Sequence, residues 1–375
     1  MATDAPLSPR DDSLEQAVAH VRANAARYIG IPAGSGRVEV RVAGEGRRPR
    51  ANLLRIELTN GTSRLALIVK QTSLASTPEA SDNLSGRPRL VVRRDYADRH
   101  RFEYLGLRAA HDHFTRLDDP RFGAVRALDH LPDCRAFVIE EVADPTLRDR
   151  LASVRRFTPR GRRLLDHAFG NAGAWLREFH ALPSPEAGPP LRASVAEVSG
   201  ALRELTDFLT RVSEDRAYFA EVYRAADRAI EAGALADPLP LGLVHGDFAP
   251  RNVFVGRDGR VAAFDMAARR HAPAYEDVAY FCMSLRSGTA RLAVRWLVPR
   301  RPRMGRRAEL FLAGYFGGGA VPDSAIAVFM LLVTLDNWAR IAAEAPPAGI
   351  VRRAARTAAG RSLRRDVSHL VSVLR

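Results

Sequence analysis

Apolar residues recur at helical spacing at Leu14, Val18, Val21 and Ala25, with Ser13 placed to cap, so the pattern predicts a helix after a frayed stretch 1–12. The period then drops towards two. The run RVEVRVAGEGRRPRANLLRIELTNGTSRLALIVKQ predicts three strands at 38–42, 53–58 and 65–70, with TNGT as a hairpin turn. A polar stretch, TSLASTPEASDNLSGRPR, reads as a mobile insertion. A helix is predicted over 95–114 through Tyr96, Phe102, Leu105 and Leu107, and AVRALDHLPDCRAFVIEEV reads as a second hairpin. After Val142 the pattern becomes helical over 164–180 and 193–232. The expectation is therefore an α+β chain: an N-terminal antiparallel sheet lobe, 1–142, with one helix after its third strand, and a mostly helical C-terminal lobe, 143–375.

The longest apolar run, IAVFMLLVTL, is too short to span a bilayer and is flanked by Asp323 and Asp336, so it predicts a buried helix. The first thirty residues carry Asp4, Asp11, Asp12 and Glu15 and no apolar core, which predicts no secretory signal and a cytoplasmic protein. Cys134 and Cys282 stand far apart, with no CxxC and no Cys/His cluster, which argues against a disulfide framework or a zinc site. The net charge of +14 favours phosphates, acidic substrates or anionic lipid heads as partners. No RNP, helix-turn-helix or zinc signature supports a nucleic-acid binder.

Candidate chemistry concentrates in LVHGDFAPRNVFVGRDGRVAAFDMA, residues 243–267. NVFV and RVAAF read as strands joined by a GRDG turn, and a hairpin brings its open ends together. Asn252 and Asp265 are then neighbours, with Asp247 on the loop leading in. Asp and Asn also make ordinary turns, but here three oxygen-bearing side chains converge on one rim. Magnesium favours such a set, completed by substrate phosphates, and the lack of His or Cys argues against zinc or copper.

HGDFAPRN followed by AAFDMA resembles the aminoglycoside phosphotransferase and choline kinase family, relatives of protein kinases, over about 38–281. The resemblance implies a bilobal protein-kinase-like fold and transfer of the ATP γ-phosphate to a small-molecule hydroxyl. It implies Asp247 as catalytic base, Asn252 and Asp265 as Mg²⁺ ligands, and His245 as a residue that holds the loop. It also accounts for Lys70, the only lysine in the chain. Lys70 ends the third strand, where the family places a lysine on the α/β-phosphates paired to a Glu of the next helix, here Glu103. An ammonium is a compact point charge and a guanidinium a broad fork, so the two do not substitute freely beside a triphosphate.

By the same resemblance, VAGEGRRPRANLL occupies the place of a phosphate-covering loop without a GxGxxG, with Gly44 and Gly46 admitting the backbone to a phosphate and Asn52 fixing the turn. FVIEEVADPTLRD corresponds to the hinge, with Ile139 behind adenine and the backbones of Glu140 and Val142 on its edge. Asp277 in AYEDVAYF is expected to anchor the catalytic loop. Arg269 and Arg270 read equally as contacts to an acidic substrate or as a solvated turn, and His111 and His113, two apart on a helix, as surface or packing residues.

No long activation segment follows Asp265, which favours a small-molecule acceptor over a protein: a sugar, glycoconjugate, aminoglycoside-like compound or amino alcohol. The basic run RLAVRWLVPRRPRMGRR, 291–307, and the basic C-terminal helix suit an anionic or glycolipid acceptor and peripheral contact with an anionic membrane surface, or equally a solvated face. The alternative to an enzyme is a catalytically silent kinase-like nucleotide-binding or regulatory module.

Overall fold

Three ten-residue strands, β1 (Glu39–Arg48), β2 (Ala51–Asn60) and β3 (Ser63–Thr72), follow one another in antiparallel register. They run further than the apolar alternation suggests. A bulge between Val42 and Gly44 absorbs the irregularity of the Gly/Arg joint, so pairing continues as far as Arg48 opposite Ala51. With β4 (Ala127–Leu131) and β5 (Ala136–Glu140) they form one sheet in the order β1-β2-β3-β5-β4. Alternate residues Leu54, Ile56 and Leu58 of β2 and Leu67 and Val69 of β3 point to one face. There they bury against Leu14, Ala17, Val18 and Val21 of helix Asp12–Ala23, which covers the sheet. The helix after β3, Arg99–Leu117, serves the opposite face through Glu103.

This computed structural model describes residues 12–32, 37–48, 51–61, 63–72, 98–185, 188–213, 215–266, 270–288, 305–343 and 350–375. The polar insertion beyond Thr72, Tyr96, Arg269 and the basic positions 291–304 lie outside them. The described residues divide into two units. The first draws on Met1–Ser81, Asp95–His111 and Val125–Ala143, and the second on Asp112–Ala124 and Asp144–Arg375.

The second unit is mostly helical. Helix Pro159–His180 begins earlier than its apolar stripe because the Thr158 hydroxyl accepts the Gly161 N–H and proline fills the first position. It runs so close to helix Arg306–Tyr315 that a Cβ on Gly173 or Gly314 would overlap the other helix's backbone. The pattern over 193–232 resolves into two helices, Val195–Ser213 and Arg216–Glu231. Asp215 caps the second by accepting the Tyr218 N–H, and a cap of this kind begins a new helix within a continuous apolar rhythm. Helix Asp323–Ala343 is long and apolar enough to cross a membrane by length and composition, but 72% of its apolar window is buried inside the protein. It is a core helix. Helix Ile350–Leu374 buries Leu363, Val367, Leu370 and Val371, while Arg364 pairs with Asp215.

Two small ribbons complete this unit: β6 (Leu241–Leu243) with β9 (His271–Pro273), and β7 (Val253–Val255) with β8 (Val261–Ala263). Helix Tyr275–Gly288 follows β9.

Candidate active site

In the first unit, strand alternation turns Lys70 away from the face that holds Leu67 and Val69. Its ammonium donates to Glu103 Oε1 at 2.6 Å and lies 5.9 Å from the ring centre of Phe137, its partner across β5. The side chains are 16% and 3% exposed, so the pair is largely removed from water. Removing one member of such a pair strands the other charge at a cost of about 3–5 kcal/mol, which holds the two together. Arg99, one helical turn before Glu103, stands 3.8 Å from the second carboxylate oxygen.

Gly44 and Gly46 lie within β1, opposite Arg55 and Leu53, rather than on a loop. A Cβ at either would meet nothing closer than 3.9 Å. What these glycines leave is bare, exposed strand backbone. Asn52 donates to Gln71 at 2.9 Å across β3 and so fixes the ladder. In the hinge segment, the Glu140 N–H donates to the Arg126 carbonyl at 3.0 Å, so a contact to an adenine edge from this residue falls to its carbonyl. Val142 follows β5 and is half-buried.

In the second unit, Asp247 follows His245 and Gly246 at the end of the segment after β6. Gly246 has φ +78°, a conformation that suits glycine, and the turn presents two successive N–H groups inward. Both are taken by Asp277: His245 donates to Oδ2, and Gly246 to Oδ1 at 2.8 Å. His180 Nε2 lies 3.1 Å from the same carboxylate, and its Nδ1 is 2.8 Å from the Tyr315 hydroxyl. Burial works against the charge of Asp277, but the His180 contact and the loop N–H groups hold its carboxyl below the usual range. Burial pushes His245 down, against the pull of Asp277, Asp247 and Asp265. A neutral imidazole leaves Nδ1 to accept the Asp247 N–H, at 3.4 Å. Phe179 and Phe248 pack on the His245 ring, and Phe248 stacks on Trp175.

The Asp247 carboxylate is held at both oxygens. Arg251 donates to Oδ1 and Asn252 Nδ2 to Oδ2 at 3.0 Å, while Asn252 Nδ2 also meets the Asp247 carbonyl at 2.9 Å. Arg251 is fixed in turn by the Tyr280 hydroxyl at 3.2 Å. With its amide nitrogen engaged twice, Asn252 keeps its side-chain oxygen as the group for a cation. Across the β7–β8 hairpin, Phe264 N–H donates to the Asn252 carbonyl at 3.1 Å, and Asp265 comes next. Asp265 sits at φ +62°, a left-handed conformation unusual for a residue with a Cβ. Such backbone recurs where a side chain must be aimed.

Asn252 Oδ1 and the Asp265 carboxylate are hard oxygens on neighbouring backbone, the donor type that magnesium takes, with one or two protein carboxylates and a shell completed by phosphates and water. Among the described residues no group of three or more His, Cys, Asp or Glu could hold a metal ion, so an all-protein cage is not the alternative.

A model of the phosphotransferase enzyme family matches residues 83–310. The chain belongs to this family. Membership makes it a kinase with a small-molecule alcohol as acceptor. A search of curated proteins returns no match. Among solved structures, an ethanolamine kinase from Plasmodium vivax is similar at TM-score 0.51 and 10% identity, over 96% of this chain and 95% of that one. A choline kinase from Streptococcus pneumoniae is similar at TM-score 0.49 and 12% identity, over 95% and 99%. A glucosamine kinase is similar at TM-score 0.47 and 19% identity, over 98% and 87%. The fold is protein-kinase-like, with an antiparallel sheet at the N-terminus and a mostly helical remainder.

In the second unit Asp247 and Asn252 are thus in direct contact, with Asp265 one residue past the partner of Asn252, and in the first unit Lys70 meets Glu103. Two contributors escape a reading of the sequence. Arg251 lies inside the motif, but nothing in its spacing shows that it grips Asp247. His180 ends a helix at LREFHAL, with no local signal that it reaches Asp277, 97 positions away.

Proposed function

We propose that this chain is an ATP- and Mg²⁺-dependent kinase that moves the γ-phosphoryl group to a hydroxyl of a small molecule, drawn from sugars, glycoconjugates, aminoglycoside-like compounds and amino alcohols. The observation that carries the reading is the Asp247 carboxylate, fixed at one oxygen by Arg251 and at the other by Asn252, on a loop tied to Asp277. A carboxylate immobilised in this way presents its remaining lone pairs in one direction, which suits acceptance of a proton from an acceptor hydroxyl. The deprotonated acceptor oxygen then forms a bond to γ-phosphorus as the bond between γ-phosphorus and the bridging oxygen breaks and ADP leaves.

Lys70, held by Glu103, supplies positive charge to the α- and β-phosphates. Gly44 and Gly46 offer bare backbone to the triphosphate, and the Glu140 carbonyl and the Val142 N–H meet the adenine edge. Asn252 and Asp265 hold magnesium, whose contribution when bound is to neutralise and orient the phosphates. Catalysis in this class is chiefly positioning and charge neutralisation, so the rigidity of the loop matters more than the basicity of any one group.

The basic composition favours an anionic acceptor, including a glycolipid met at an anionic membrane surface, and a cytoplasmic setting. The test is a panel of sugars, aminoglycosides, macrolides and amino alcohols, incubated with ATP and Mg²⁺ and read by ADP release. Acceptor-stimulated ADP release supports the reading, and its absence across the panel, with ATP bound, counts against it.

A further inference from the structure

Within the second unit a cavity of about 810 Å³ lies between helix Leu147–Ala152, the start of helix Pro159–His180 and the tip of the β7–β8 hairpin. Four arginines line it: Arg150, Arg156, Arg160 and Arg257. Burial, with Arg156 nearby, pushes the Arg307 guanidinium down against the pull of Asp166. The carboxylate on the wall, Asp149, is turned to its own helix cap, where it accepts the Thr146 N–H at 3.1 Å and hydroxyl at 2.6 Å.

None of the four wall arginines forms an ion pair among the described residues. Arg150 donates one nitrogen to the Val255 carbonyl at 2.9 Å, and its Nε is buried without a hydrogen-bond partner. Arg156 donates to the Leu151 carbonyl and covers the ring of Phe157. Some arginines elsewhere are ion-paired, as Arg55 is with Glu57 and Glu141, Arg192 with Glu276 and Arg121 with Asp119. Four arginines around one concave, partly apolar pocket, none of them ion-paired among the described residues, suit an anion, and phosphate is the anion that matches a guanidinium fork in two-point fashion.

We propose that this cavity binds a soluble phosphoester carrying two or more negative charges, up to the size of a nucleotide, at a site separate from the phosphoryl-transfer centre. The volume falls within the range of small-molecule pockets. Separation follows from the hairpin: Arg257 is at its tip, whereas Asn252 and Asp265 are at its open end, beyond the three-residue strands Val253–Val255 and Val261–Ala263. The pocket and the catalytic hairpin are nonetheless joined, since Val255 N–H donates to the Pro145 carbonyl at 2.9 Å and Val255 accepts from Arg150. Occupancy therefore bears on the strand that follows Asn252, which suits an effector.

The experiment is calorimetric titration of the full chain with inorganic pyrophosphate in the absence of magnesium. It compares wild type, the double variant Arg160→Gln/Arg257→Gln, and the double variant Lys70→Met/Asp265→Asn. Arg160 and Arg257 are exposed, so their replacement leaves the core intact, and circular dichroism checks this. The expected result is saturable binding that weakens about tenfold or more, about 1.4 kcal/mol or more, in the arginine variant and survives in the other. Binding that survives in the arginine variant overturns the proposal, as does no binding to wild type. A sedimentation arm uses vesicles of phosphatidylcholine with a phosphoinositide. Capture of the protein that pyrophosphate does not reverse assigns the arginines to a membrane and overturns it too. None of these readouts requires turnover, so the outcome is independent of the acceptor screen.

Discussion

The Lys70 ammonium meets the Glu103 carboxylate at 2.6 Å, a contact between residues 33 positions apart and on different elements. It holds the one lysine of the chain in a single orientation. Lys70→Arg keeps the charge but not the shape, since a planar fork cannot occupy the place of a point donor beside a buried carboxylate. The expected outcome is a folded protein whose kcat/KM for ATP falls on the order of a hundredfold, with Lys70→Met no worse than about tenfold below that. Steady-state ADP release across ATP concentrations measures it, and an arginine variant with wild-type kinetics refutes the role.

Asp277 ties the loop before Asp247 to helix Tyr275–Gly288 through two backbone N–H groups. Asp277→Asn replaces a charged acceptor with one that faces one of those N–H groups with its own NH₂. Urea denaturation is expected to show a loss of about 2–4 kcal/mol. The folded-state pKa of this group is depressed, so its contribution is present above the ordinary carboxylate value, about 3.9, and is lost as pH falls through the lower folded value.

His245 acts in the same sense but in a higher pH window. Burial lowers its pKa, so below about pH 6.5 the unfolded chain takes up a proton that the folded protein refuses. Stability is therefore expected to decline from about pH 6.5 downward, and His245→Gln is expected to flatten that decline while lowering stability at pH 8. Thermal midpoints of both proteins from pH 5 to pH 8, a range bracketing the unperturbed value, provide the check. Parallel curves would show that this imidazole does not govern the slope.

Arg251 holds Asp247 and is itself held by Tyr280. Arg251→Ala frees one carboxylate oxygen without touching nucleotide contacts. The expected effect is a fall in kcat of about tenfold to a hundredfold with the KM for ATP within about twofold of wild type. A matching rise in the KM for ATP would place Arg251 in nucleotide binding instead.

Much of this arrangement is legible in the sequence, for a physical reason. The stretch 243–267 is local: a tight hairpin fixes which residues become neighbours, so the proximity of Asn252 and Asp265 follows from the turn between them. The core strands and the buried run within Asp323–Ala343 are equally open to periodicity, which reports burial directly. Contacts made by distant residues are not. Periodicity predicts helix Asp12–Ala23 but not that it covers the sheet, and no spacing rule connects His180 to Asp277. The break at Asp215 escapes because the apolar rhythm continues through it, while the cap acts through one hydrogen bond to Tyr218. Gly44 and Gly46 read as a loop because glycine favours turns, yet a bulge keeps them within β1.

The account stands on Asp247 as the group that receives the acceptor's proton. Its most direct test is single-turnover transfer from ATP to an acceptor identified in the screen, comparing wild type with Asp247→Asn. ATP affinity is measured separately by calorimetry. The predicted result is a transfer rate lower by about a thousandfold or more with the dissociation constant for ATP changed less than about threefold. Transfer within about tenfold of wild type, with ATP still bound, would contradict it.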